Sequence, residues 1–213
     1  MSRHSHLQAA LLLGALLLVN RALAEDAVPA SPNSSTNKAA FNAQVRGGET
    51  FGDHQIQRAF LNIGTNAFAF TIPVGFFMDA SNPGKIVLTD PNSDYFITVR
   101  VMSAPSPEGA SQADYFRGLA LNRFPQAKIT SQSTEYVANH SGPSFDMQWV
   151  TASGGAQSAR IAFISCPAGV LELSILSRSA KFKTAQTYLS VLMSSVRSNE
   201  TGKLIITPVP DYS

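Results

Sequence analysis

Residues 144–177, SFDMQWVTASGGAQSARIAFISCPAGVLELSILS, constrain this chain more than any other stretch. Phe145, Met147 and Trp149 alternate with Asp146, Gln148 and Val150, and a pleated strand sends the first three to one side. Two further runs follow, with Ile161 and Phe163, then Leu171, Leu173 and Ile175, set against Arg160, Glu172 and Ser174. Pro167, Ala168 and Gly169 have the chemistry of a three-residue hairpin, which would keep Phe163 and Leu173 on one face. Gly154, Gly155 and Ala156 suit a similar turn. The expected unit is a three-stranded antiparallel meander, apolar on one side and polar on the other.

Upstream, Phe68, Phe70 and Ile72 alternate before Pro73, and Gly75, Phe76 and Phe77 form an aromatic turn. Residues 86–89 and 95–103 flank Asp90-Pro91-Asn92-Ser93-Asp94, strong turn composition for a hairpin whose apolar face is Tyr95, Ile97, Val99 and Val101. Pro105, Pro107 and Gly109 close that unit. Ser111, with Asp114 three residues on, opens a helix in which Phe116, Leu119, Ala120 and Phe124 share one face before Pro125. Residues 129–137 read as a strand. After the meander, Phe182, Ala185, Leu189, Leu192, Met193 and Val196 mark a second amphipathic helix over 179–197. Two main helices around a central antiparallel sheet of about six or seven strands make an α+β, αβα sandwich. Residues 41–64 fit either a short helix or an extra strand.

The amino terminus carries a different signal. Arg3 and two histidines precede Leu11–Val19, too short an apolar run to span a bilayer but suited to the core of a signal peptide. Ala22, Leu23 and Ala24 then give a small-x-small cleavage pattern, so cleavage is expected between Ala24 and Glu25 and no membrane anchor is expected after it. This implies an extracytoplasmic protein, periplasmic or secreted. Cleavage would remove Arg3 and Arg21 and bring Lys plus Arg from 16 to 14, equal to the 14 acidic residues. The resulting neutral chain has no basic field arguing for nucleic acid. Cys166 is the only cysteine, so no disulfide forms within the chain and packing must supply stability. The expected division is a signal peptide at 1–24, a flexible leader with one short ordered element at 25–66, a globular domain at 67–198, and a tail at 199–213.

The segments FAFTIPVGF, FITVRVMSA, SQADYFRGLALNRFP, FDMQWVT, ARIAFISCPAGVLELSIL and LSVLMSSVRS, in that order, resemble the PsbP-like domain, which shares its fold with the Ran-binding Mog proteins and the bacterial DcrB-like envelope proteins. The resemblance covers roughly residues 67–198 and rests on order and pattern, with no catalytic signature. It implies a single αβα sandwich acting without catalysis as an accessory or binding module, its partner here another envelope protein. Photosystem binding does not carry over, since no partner-binding residue matches one by one. No Cys follows the apolar leader, a departure from lipid-anchored bacterial relatives.

Reading for chemistry yields no cofactor, metal or catalytic set. His140, Ser144 and Asp146 hint at a triad, but no nucleophile elbow is present, and His140 reads as a loop histidine. A hydrolase using Ser144 and His140 is the least favoured reading. His54 with Asp53 and Glu49 offers one imidazole and two carboxylates in a polar loop. Gly47-Gly48 and Gly154-Gly155 lack phosphate-loop spacing. Asp146, Glu172, Arg100 and Arg160 fall opposite the apolar stripes of their strands and make a candidate polar surface for a partner, small ligand or metal. Phe76 and Phe77 are a second candidate partner patch. Asn33, Asn139 and Asn199 stand in N-x-S/T sequons.

Overall fold

The computed structural model describes residues 41–51, 54–63, 66–102, 111–166 and 169–199, and of Glu49, Phe51, His54, Ser111 and Asn199 the backbone only. The expected signal peptide, its Ala24–Glu25 junction, the leader at 25–40, the loop at 103–110, Asp53, Pro167 and Ala168, and the tail at 200–213 lie outside these residues. Those described belong to one compact unit, Ala39–Ser213.

Eleven strands and two α-helices make up the described chain. The strands are β1 (Phe41–Phe51), β2 (His54–Ile63), β3 (Asn66–Thr71), β4 (Phe77–Asp79), β5 (Lys85–Thr89), β6 (Tyr95–Met102), β7 (Lys128–Val137), β8 (His140–Val150), β9 (Ala156–Cys166), β10 (Gly169–Arg178) and β11 (Arg197–Asn199). The helices are α1 (Ser111–Arg123) and α2 (Phe182–Ser195), the latter entered through one 3-10 turn, Ser179–Lys181. Seven strands form the central antiparallel sheet in the order β4-β5-β6-β10-β9-β8-β7. The expected α+β class and the seven-stranded sheet are both present. A second sheet, β1-β2-β3-β11, joins α2 over one face of the central sheet. Residues 41–51 and 54–63 are its paired strands β1 and β2, and Ala59, Leu61 and Ile63 are buried there.

Each face of the central sheet has its own core. On one face Phe116 and Ala120 of α1 pack on Phe145, Met147, Ile161 and Phe163, with Phe116 stacked on Phe163 at 5.0 Å between ring centres. On the other, Ala185, Leu189, Leu192 and Met193 of α2 join Leu61, Phe68 and Phe70 of the small sheet over Ile97, Val99, Leu173 and Ile175. Leu61, Phe70, Val99, Leu173 and Val196 meet there without room for a water molecule. Burying these apolar surfaces is the main force holding the layers together.

The β9–β10 register corrects the sequence reading. Cys166 pairs with Gly169, leaving two residues between them instead of three. Phe163 therefore lies opposite Glu172, and Leu173 lies opposite Ala162. Directly opposed residues share a face, so Phe163 points toward α1 and Leu173 toward α2. The β8–β9 connection also differs: Val150 pairs with Ala156, Gly154 takes a positive φ of 82°, and Thr151 and Gly155 bond each other across the turn. Elsewhere local chemistry holds as expected. The Asp90 carboxylate accepts hydrogen bonds from the N–H groups of Asn92 (3.1 Å) and Tyr95 (2.7 Å), shaping the β5–β6 hairpin.

Candidate functional site

Each of the four charged candidates lies opposite the apolar stripe of its own strand, yet together they do not form one surface. Asp146 and Arg160 are directly opposed on β8 and β9, on the α2 side. Arg160 donates from Nε to Asp146 Oδ1 at 2.6 Å and from Nη2 to Oδ2 at 2.9 Å, the fork-to-fork geometry that suits guanidinium and carboxylate. Gln186 of α2 donates to Asp146 Oδ2 at 3.0 Å, and Glu135 of β7 lies 3.5 Å from Arg160 Nη1. The hydrogen bond to Asp146 holds the Arg160 pKa above its ordinary value.

Glu172 and Arg100 are likewise directly opposed, on β10 and β6, but on the α1 side. Glu172 is only 2 % exposed, so its charge needs partners. Arg123, in the last turn of α1, donates from Nε to Glu172 Oε2 at 3.1 Å, and Arg100 Nε stands 3.9 Å from Oε1. Lys85, opposite Arg100 on β5, completes the row. Burial first, and then the repulsion of Arg100 and Arg123, lower the Lys85 pKa. The expected single polar face is thus two half-buried ion clusters on opposite sides of the sheet, of whose charged groups only Glu172 is fully buried. The cause is the β9–β10 register, which turns the apolar stripes of β8 and β9 away from those of β6 and β10.

The aromatic pair also separates. Phe76 is 5 % exposed and packs edge-on to Tyr188 of α2 at 5.1 Å, whereas Phe77 is 68 % exposed on edge strand β4. Phe76 is therefore core and leaves the candidate surface. The turn between them and β3 is tight: Phe76 N–H donates to Pro73 O at 3.0 Å and Gly75 takes a φ of 84°, a conformation suited to glycine. Val74, on this turn, is 62 % exposed.

His140 opens β8 instead of sitting in a loop, because Ala138 and Asn139 alone make the turn, with φ of 49° and 68°. Ser144 follows four residues along the same strand, about 13 Å away. The Ser144 hydroxyl is 1 % exposed and makes no hydrogen bond with a described residue. Asp146 is engaged by Arg160. These three residues are therefore not assembled as a triad. Among the described residues no group of three or more His, Cys, Asp or Glu is placed to hold a metal, and no helix is long and apolar enough to cross a membrane.

Sequence reasoning missed Arg123, Lys85, Gln186 and Glu135, all of which complete the two clusters. A basic residue in the last turn of a helix is a signal for Arg123, though it points to the helix dipole and not to Glu172. It also passed over Arg46, Arg58 and Arg197, which the small sheet places on one face.

No family model matches the chain, and no curated protein matches it. Among solved structures, the cyanobacterial PsbP of Synechocystis is similar with a TM-score of 0.46 and 12 % identity, over 80 % of this chain and 99 % of that one. LpqN of Mycobacterium tuberculosis, described as involved in cell envelope biogenesis, gives a TM-score of 0.44 and 10 % identity, over 74 % of this chain and 91 % of that one. Scores at this level assign neither a family nor a role.

Proposed function

We propose that this chain is a non-enzymatic accessory or binding protein of the cell envelope that acts through protein–protein contacts. The observation that carries the reading is the exposed apolar pair Val74 and Phe77. A tight turn fixes their backbone, and buried Phe76 between them anchors it. A large apolar side chain held rigidly in solvent gains contact area on binding at small entropic cost, the usual make-up of a binding hot spot. The signal-peptide pattern at residues 1–24 supports an extracytoplasmic setting and hence an envelope partner.

A photocrosslinking amino acid in place of Phe77, with a control at Tyr136, which is also exposed, tests this in the native envelope. One stoichiometric protein adduct from position 77, absent from position 136 and lost when Val74 becomes Ser, is the expected outcome. No adduct at position 77, or the same adduct from both positions, overturns the assignment.

A further inference from the structure

The small sheet has two unlike faces. Its inner face carries Leu61, Phe68 and Phe70 into the core. By the register, its outer face carries Gln44, Arg46, Arg58, Phe60, Asn62 and Arg197, with the buried Ala67 and Ala69 of β3 lying between the β2 residues and Arg197. All three arginines are exposed, and the paired residues 41–47, 57–63, 66–71 and 197–199 include no Asp or Glu. Arg100, Arg123 and Arg160 each face a described carboxylate, whereas Arg46, Arg58 and Arg197 make no ion pair with a described residue.

Arg46 and Arg58 are directly opposed on neighbouring strands, which brings their Cβ atoms to about 5 Å and makes like charges neighbours at some cost in stability. Both outer guanidinium groups with contacts are held in place by neutral ones. Arg46 lies over the Phe60 ring at 5.2 Å and donates to Gln44 Oε1 at 3.3 Å. Arg197 donates to the carbonyls of Ser194 (3.0 Å) and Val196 (2.9 Å). The arrangement keeps three positive charges facing solvent on one face of the sheet with no described counter-ion.

We propose that this outer face docks an acidic segment of a partner protein, with carboxylates taken up by the Arg46–Arg58 pair and by Arg197. Guanidinium recognises carboxylate with two parallel hydrogen bonds, and a bound carboxylate relieves the repulsion between the opposed arginines. The make-up of the face argues against a lipid surface. Its one aromatic, Phe60, is half-buried beneath Arg46, and its exposed neighbours Gln44 and Asn62 are polar, so no apolar side chain is offered for insertion. This surface is separate from Val74 and Phe77 in the sequence and in its chemistry, and the inference stands whether or not that pair binds a partner.

The test titrates the whole protein with a fluorescein-labelled decaglutamate peptide and, in parallel, with phosphatidylcholine vesicles containing phosphatidylglycerol. The peptide should bind with an affinity that falls as salt is raised, and the Arg46→Ser/Arg58→Ser variant should bind about tenfold more weakly or worse. That variant should melt within a few degrees of the parent, because relief of the like-charge pair offsets the lost Arg46–Phe60 contact, so lost binding is not lost folding. Binding to the vesicles but not the peptide, binding to neither, or unchanged peptide binding by the variant each overturns the proposal.

Discussion

The two half-buried ion clusters are built from the same parts and do different work. Each sets a carboxylate directly opposite an arginine on the next strand, and each receives a further side chain from the helix above it. Beneath α2, the cross-strand pair is complete in itself, with two short bonds between Arg160 and Asp146, and Gln186 adds a neutral contact from the helix. Beneath α1, the cross-strand distance is 3.9 Å and the closer bond comes from the helix, Arg123 to Glu172 at 3.1 Å. The first cluster chiefly joins strands. The second ties a helix to the sheet, and it matters more there because, among the described residues, Phe116, Ala120 and their neighbours form the smaller core, while α2 shares its face with a whole second sheet.

Removing one carboxylate at a time puts that contrast to the test. Glu172→Ala removes the buried carboxylate that Arg123 and Arg100 face; breaking a buried pair costs about 3 to 5 kcal/mol, and the half-buried arginines put the expected loss at the lower end of that range. Urea unfolding should show that loss, with the amides of α1 exchanging faster than those of α2; equal loss of protection in both helices would deny the tethering role. Asp146→Asn keeps the shape of its site and most of its contacts, so a smaller loss of about 1 to 3 kcal/mol is expected, spread over β8 and β9. A cost exceeding that of Glu172→Ala would invert the comparison.

The smallest expected effect concerns Lys85. Its folded pKa is lowered, by burial and by the nearby arginines, so in the window between that value and 10.5 the unfolded chain binds more protons than the folded one. Stability from this group therefore rises with pH through that window, and at neutral pH its charge is a penalty. Lys85→Met should be slightly more stable than the parent at pH 7, and the difference should shrink as pH approaches 10.5. A gap that stays constant or widens with pH would show that Lys85 is not repelled by its neighbours.

Much of this was open to a reading of the chain alone. Alternation placed Phe145 and Met147 together, and Tyr95, Ile97 and Val99 together, because a strand has a period of two regardless of what it packs on. The faces of α1 and α2 were equally legible, from Phe116 and Ala120 in one and Ala185, Leu189 and Leu192 in the other. Each of Asp146, Arg160, Glu172 and Arg100 was correctly set against its strand's apolar side. What failed was the step from one strand to the next. A loop one residue shorter between Cys166 and Gly169 reverses every side chain of β10 relative to β9, and a single polar face becomes two half-buried clusters.

The amino-acid sequence by itself determined the local periods, the turn chemistry around Asp90 and Gly75, and the helix faces, since these depend on neighbours within a few residues. Tertiary structure decided which stripes face each other, because register and layer partners are set by packing between distant segments. It is this packing that pairs β11 with β3 across the chain, separates Phe76 from Phe77, and gathers Arg46, Arg58 and Arg197 on one sheet. No short-range pattern in the chain encodes that meeting, and it is where the most distinctive surface of the protein arises.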